Sequence, residues 1–192
     1  MQPSSTPPDL IRFRQAWQQF VSSGRLLAGI DPLVVNSWLR SSPRLNPLAP
    51  PQWAYLSGDV MPLTLNQHAS FRAIARPIME DVHQFIEGVG LMLLLVDSTT
   101  CVLELLGDRS ILDYMTGLGL RQGAFLDESR LGTNAFATAL IEGCPAQVIG
   151  AEHYLSRFHS IGCSAAPIFD VDGGPVGAIG VLSRAEQYCR QS

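Results

Sequence analysis

The sequence contains no lysine: all thirteen of its basic residues are arginine. That absence removes whole chemistries. A P-loop NTPase needs a lysine on the nucleotide phosphates. A Schiff-base enzyme needs a side-chain amine to form the imine. Charge of either sign is scarce, at 16% of residues, where an ordinary soluble chain carries about 25%. The formal net charge of −4 argues against a general binder of nucleic acid or of anionic membranes. No Cys-x-x-Cys pair occurs. Cys101, Cys144, Cys163 and Cys189 are widely spaced, as expected for reduced thiols in a cytoplasm. No basic start followed by an apolar run marks a signal peptide. The longest apolar run, Val89 to Val96, is broken by Gly90 and falls far short of the ~20 residues of a spanning helix. A cytoplasmic chain without a membrane segment is expected.

What is present is enough for a core. Apolar residues make up 46% of 192, which suits one domain, or one domain with an arm. Residues 1–8 are polar and proline-rich and are expected to be disordered. Residues 9–60 read as a helical arm and linker. Leu10, Phe13, Trp17, Phe20 and Val21 recur at helical steps after Asp9 as a possible cap, with Gly24 as the stop. Asp31-Pro32 opens a second helix carrying Val34, Val35, Trp38 and Leu39, with proline at its first position. Ser41 to Pro51 is a proline-rich linker. Charge divides near this point. Residues 1–60 carry five Arg against three Asp, whereas residues 61–192 carry eight Arg against fourteen acids.

The body, residues 61–192, begins with a helical stripe over 66–87: Phe71, Ile74, Ile78, Val82 and Phe85. Pro77 is expected to kink that helix or start a new one. Two readings of the stripe stay open: a face packed on a sheet, or the seam of a helix pair. The period then changes. Residues 91–97 read as a buried strand and 101–106 as its hairpin partner. Arg109–Met115 is a short helix, followed by a flexible loop with Gly117, Gly119 and Gly123. Gly132-Thr133-Asn134 opens a helix over 135–142, closed by Gly143. A strand at 145–151 and a helix-like segment at 153–160 follow. Strands at 163–169 and 175–182 flank the turn Asp172-Gly173-Gly174, which reads as a hairpin. A last helix starts near Arg184. The fold class is α+β with a mostly antiparallel sheet.

Four stretches carry a resemblance: IDPLVVNSWLRS with its linker (30–51), DESRLGTNAFATAL (127–140), GAEHYLSRFH (150–159) and CSAAPIFDVDGGPVGAIGVLS (163–183). In this order and spacing, over about residues 26–184, the chain resembles a GAF domain, a sensor fold related to PAS. It is most similar to the N-terminal sensor segment of sigma-54-dependent activators of the acetoin and dihydroxyacetone regulator type. The resemblance implies a central antiparallel sheet flanked by helices. It also implies a pocket on one sheet face, roofed by residues 109–130 and 150–162. Such activators continue into an ATPase and a helix-turn-helix end. The ATPase requires the lysine this chain lacks, and no arginine-rich recognition helix is visible, so neither part is expected here and nor is direct nucleic-acid binding.

Placing the matched motifs on that fold nominates Glu128, Asn134, Glu152, His153, His159 and Ser164 as ligand-binding residues. Each also has a plainer reading. Thr133 and Asn134 can simply cap a helix. His153 and His159 are six apart, about 240° around a helix, so they cannot share a metal as i, i+4 histidines do. Neither a metal nor a cofactor is expected. The cysteines suit burial better than catalysis. The expected function is a regulatory sensor, not an enzyme, that binds a small carbonyl or polyol such as acetoin and controls an output module. The alternative is a protein-docking or dimerisation module, with a homodimer formed through helices. A remote alternative is a free methionine sulfoxide reductase, for which the closely spaced cysteine pair is missing.

Overall fold

The computed structural model describes residues 8–188. Of residues 1–8, for which disorder is expected, Pro8 instead begins a helix, and residues 1–7, like Cys189, lie outside the described residues. The chain opens with two helices, α1 (Pro8–Ser23) and α2 (Pro32–Ser41). Asp9 does not cap α1 but lies in its first turn, where a carboxylate favours the positive end of the helix dipole. Asp31 does cap α2: its Oδ1 accepts from Leu33 N at 2.8 Å.

The expected helix over 66–87 begins earlier and is divided. α3 spans Val60–Gln67 and α4 spans Ala69–Ile86. The division falls at His68, and α4 continues through Pro77. Proline removes one N–H from the helical ladder, whereas the contacts of α4 with the sheet hold both of its halves. The strands β1 (Leu91–Asp97) and β2 (Val102–Gly107) form the expected hairpin. Then come α5 (Arg109–Leu118), a single turn α6 (Glu128–Leu131), α7 (Ala135–Glu142), β3 (Ala146–Ile149), β4 (Ile161–Phe169), β5 (Pro175–Arg184) and α8 (Ala185–Tyr188). Three expectations are corrected. The strand near 145–151 stops at Ile149, because Gly150 takes φ +57° and starts a 3-10 turn. The helix-like segment 153–160 is only one 3-10 turn, Ser156–Phe158. The glycine loop after α5 is tied to an edge strand, with Val102 N donating to Ala124 O and Gly123 N to Val102 O, both at 2.8 Å. It covers the open edge of β2.

The five strands form one sheet in the order β2-β1-β5-β4-β3, and all neighbours are antiparallel. β1 is an interior strand between β2 and β5 and is buried throughout, which explains its continuous apolar run. Successive side chains alternate between faces. Met92, Leu94 and Val96 enter the larger core with Val102, Cys163, Ala165 and Leu182. Leu93, Leu95 and Leu103 enter a smaller core under α4. The arm belongs to the larger core: Trp17, Phe20, Val34 and Trp38 are buried in it. Trp38 Nε1–H donates to Glu152 O at 2.7 Å and Trp17 Nε1–H to Tyr154 O at 2.8 Å. Each indole therefore buries its ring while its N–H is satisfied.

Helix α4 answers the open question about its stripe. It meets the sheet through Ala75 and Met79, with Phe71 and Ile86 half-buried beside them. Ile74, Ile78, Val82 and Phe85 are 69%, 55%, 40% and 89% exposed. At 100° per residue they span about 80° of arc, so they form one outward stripe.

Trp38→Ala should cost about 3–5 kcal/mol, read from urea unfolding of the variant and its parent. A loss near zero would mean that the arm is not part of the core.

Candidate functional site

The expected pocket position holds a small hollow. Its floor is Leu94, Cys163 and Leu182 on β1, β4 and β5. Its roof includes Met115, Leu120 and Leu126 from the segment 109–130, and His153 and Phe158 from the segment 150–162. Trp53 closes one side. The volume is about 30 Å³, room for about one water, where sites for organic ligands measure about 300–1,000 Å³.

Asn134 lines this hollow, but its amide is fully used. Oδ1 accepts from Ala137 N at 3.0 Å, capping α7, and Nδ2 donates to Leu126 O and Gly132 O at 2.9 and 3.1 Å. Gly132 has φ +69°, and a Cβ there would sit 3.0 Å from Tyr154 Cβ. The tight loop before α7 therefore needs glycine.

His153 is buried in the wall. Its Nδ1 lies 3.0 Å from Gly150 O, so Nδ1 carries the proton and Nε2 is left as an acceptor. The Cys163 thiol faces that Nε2 at 3.5 Å, and Ala135 N donates to Sγ at 3.4 Å. Burial holds the imidazole down to about 3 and pushes the thiol up to about 12. The pair is neutral, a thiol against an imidazole. Cys101 is likewise pushed up to about 11 by burial. Thiolate chemistry needs the opposite surroundings.

The other expected residues sit elsewhere. Glu128 faces the arm. Arg40 Nε donates to Glu128 Oε1 at 2.7 Å, Nη2 to Oε2 at 3.1 Å, and Nη1 to Glu142 Oε1 at 2.6 Å. The Ser37 hydroxyl donates to Glu128 Oε2 at 2.6 Å and lies 2.8 Å from the Thr133 hydroxyl. These contacts, led by the bond to Glu128, hold the Arg40 guanidinium charged above its ordinary range. His159 Nε2–H donates to His153 O at 3.2 Å, and its ring meets Trp17 edge-on at 4.7 Å. It lines a separate cleft. Ser164 lies on the α4 side of the sheet, opposite Val181, and accepts from Gln147 Nε2 at 3.2 Å. The structure thus puts Asn134 and His153, with Cys163, on the hollow, and the other four do not line it. Among the described residues no group of three His, Cys, Asp or Glu is placed to hold a metal ion. Ser37, Arg40 and Glu142 were not foreseen, nor was the place of Trp53 beside the hollow. Their partners lie 65 to 102 residues away along the chain, and no local pattern signals such pairs.

Glu152 Oε2 accepts from Ile149 N at 2.9 Å, and the side chain is buried. Burial pushes its carboxyl up to about 7 from an ordinary 4.5.

The comparisons with known proteins can be set against this geometry. Residues 6–190 match the family described as MimR, N-terminal domain. The chain belongs to that family. AcoR, the acetoin dehydrogenase operon transcriptional activator of Bacillus subtilis (strain 168), is 33% identical over 180 residues, covering 93% of this chain and 29% of that protein. MimR, the propane 2-monooxygenase operon transcriptional activator of Mycolicibacterium smegmatis, is 27% identical over 187 residues, covering 96% of this chain and 30% of that protein. The chain spans less than a third of the length of either. The crystal structure of the E. coli DhaR(N)–DhaL complex contains a chain that aligns with a TM-score of 0.77 at 23% identity, over 82% of this chain and 53% of that one. The fold of this MimR N-terminal domain is GAF-like, as the motif order implies.

The sign of the Glu152 shift sets a pH dependence. The folded state keeps this proton longer than the unfolded state does. The stabilisation is complete below pH 4.5 and is lost as pH rises through 7. His153 and His159, held down by burial to about 3 and about 4, act oppositely: their stabilisation is present above 6.5 and is lost as pH falls. Comparing Glu152→Gln with its parent isolates the carboxyl. The variant should gain on the parent as pH rises from 5 to 8, by up to about 3 kcal/mol, in urea unfolding at each pH. A difference that does not change with pH would contradict this assignment.

Proposed function

We propose that this chain is the signal-receiving domain of a cytoplasmic operon transcriptional activator, and that it receives its signal by protein contact along α4. It acts without catalysis. The carrying observation is a contrast: the hollow measures about 30 Å³, while Ile74, Ile78, Val82 and Phe85 form an exposed apolar stripe. Such a stripe marks an interaction surface more often than an ornament of the fold. Two further points support this reading. The relatives are transcriptional activators of operons. A chain of the same fold is solved in complex with another protein, DhaL. We favour a second copy of this domain as the resident occupant of α4, because the 4, 4, 3 spacing of the exposed residues suits a helix seam. A regulatory protein would then compete for it or add to it. Control of a sigma-54-type output module is the corresponding role for a parent protein.

A second reading keeps the small carbonyl or polyol ligand. It is favoured by the position of the hollow where the family motifs converge, with Asn134 and His153 in its wall. That reading requires the roof to open, since Trp53, Met115 and Phe158 occupy the space.

Sedimentation equilibrium should show a dimer for the parent chain and a monomer for Ile78→Ser/Phe85→Ser, with little change in melting temperature because both side chains are exposed. A parent that stays monomeric at high concentration would overturn the dimer. Acetoin and a panel of small polyols should leave the melting curve unmoved. A rise that saturates with concentration would favour the second reading.

A further inference from the structure

A recess with two arginines in its wall lies apart from the hollow. It is a cleft of about 650 Å³ where the arm meets the end of the described chain. Its walls are Arg14 of α1, Ser156, His159 and Ser160 of the loop before β4, and Arg184 and Gln187 at the end of β5 and in α8. Its volume lies within the range for small-molecule sites.

Among the described residues two arginines without an ion pair line this one cleft, whereas Arg12, Arg25, Arg44, Arg121 and Arg157, which also lack one, do not line it. Arg40, Arg72, Arg76, Arg109 and Arg130 all pair with carboxylates. Among the described residues neither Arg14 nor Arg184 has a carboxylate within 4.0 Å, although Glu186 is also on the wall. Arg184 is nevertheless held in place. Its guanidinium carbon lies 3.4 Å above the Tyr114 ring, and Tyr114 Oη is 2.5 Å from Ser160 Oγ. A guanidinium fixed by stacking keeps its N–H fork free for a planar oxyanion. Gln187 holds a buried Oε1 without a hydrogen-bond partner among the described residues. Arg14 acts on His159 from the same cleft: its charge adds to the burial that keeps the imidazole neutral.

We propose that this cleft binds a small dianionic metabolite, a dicarboxylate or a phosphate ester, clasped between Arg14 and Arg184 with Ser156 and Ser160 as hydroxyl donors. The walls come from the arm, the loop that carries His153, and the helix at the far end of the sheet. An occupant therefore ties both ends of the domain to one loop and biases their arrangement. This site is independent of the α4 surface, which belongs to the other face of the sheet.

The test is calorimetric titration of the full chain with succinate and with inorganic phosphate, together with the His159 ring signals in NMR spectra. At least one probe should bind saturably and shift the His159 signals. Arg14→Gln and Arg184→Gln should each weaken binding about tenfold or more, about 1.4 kcal/mol, with unchanged melting, since both side chains are exposed. Arg157→Gln, outside the cleft, should bind as the parent does, and so should Ile78→Ser/Phe85→Ser. The preferred probe assigns the anion class. Two results would overturn the proposal: no movement of the His159 signals with either probe, or parental affinity in both arginine variants. Neither would touch the α4 reading.

Discussion

The Arg40 clamp is the constraint from which the rest follows. One guanidinium from α2 meets Glu128 through two hydrogen bonds and Glu142 through a third. Glu128 is buried, and a buried carboxylate without a cation would cost several kcal/mol. The clamp therefore fixes the arm at the same time as it fixes α6 and the end of α7. Trp38, two residues before Arg40 and on the other side of α2, carries the constraint to the opposite segment by donating to Glu152 O. The roof of the hollow is thus held from outside by the arm, and the side chains beneath it close to near-contact.

That arrangement separates two jobs that the family motifs had seemed to combine. GTNA and EHY do converge on one place, yet what they build there is structural. Asn134 caps α7 and braces two loop carbonyls. His153 braces Gly150 O and receives the Cys163 thiol. Every strong donor and acceptor in that wall is already engaged. Unengaged chemistry lies outside: an apolar stripe on α4, and two unpaired guanidiniums where the arm meets α8. A domain built this way has a firm centre and unengaged margins.

The elements with self-contained local signals were legible from the sequence. Helix α7 runs over the expected residues because Asn134 caps one end and Gly143 the other. The β4–β5 hairpin follows from its turn, where Asp170 Oδ1 accepts from Asp172 N and Gly174 N. β1 follows from an apolar run too short for a buried helix. What was illegible depends on partners far along the chain. Nothing near Arg40 announces Glu128, 88 residues on. Ser164 was placed on the wrong side of the layer for the hollow because a one-residue step along a strand reverses the face. The closure of the hollow is a matter of side-chain volume, as in Trp53 and Phe158, and spacing alone does not report volume. The stripe on α4 was seen, but its direction was set by Ala75 and Met79, which had not been counted within it.

Native-state hydrogen exchange tests the central claim, that arm and sheet are one cooperative unit closed over a filled hollow. Amides of α2, Val35 to Ser41, should open with the same free energy as those of Leu93 to Val96 in β1, the value for global unfolding. If the arm amides instead exchange several kcal/mol more easily while the sheet stays protected, the arm is a detachable flap. The hollow would then be open in solution, and the account would fail.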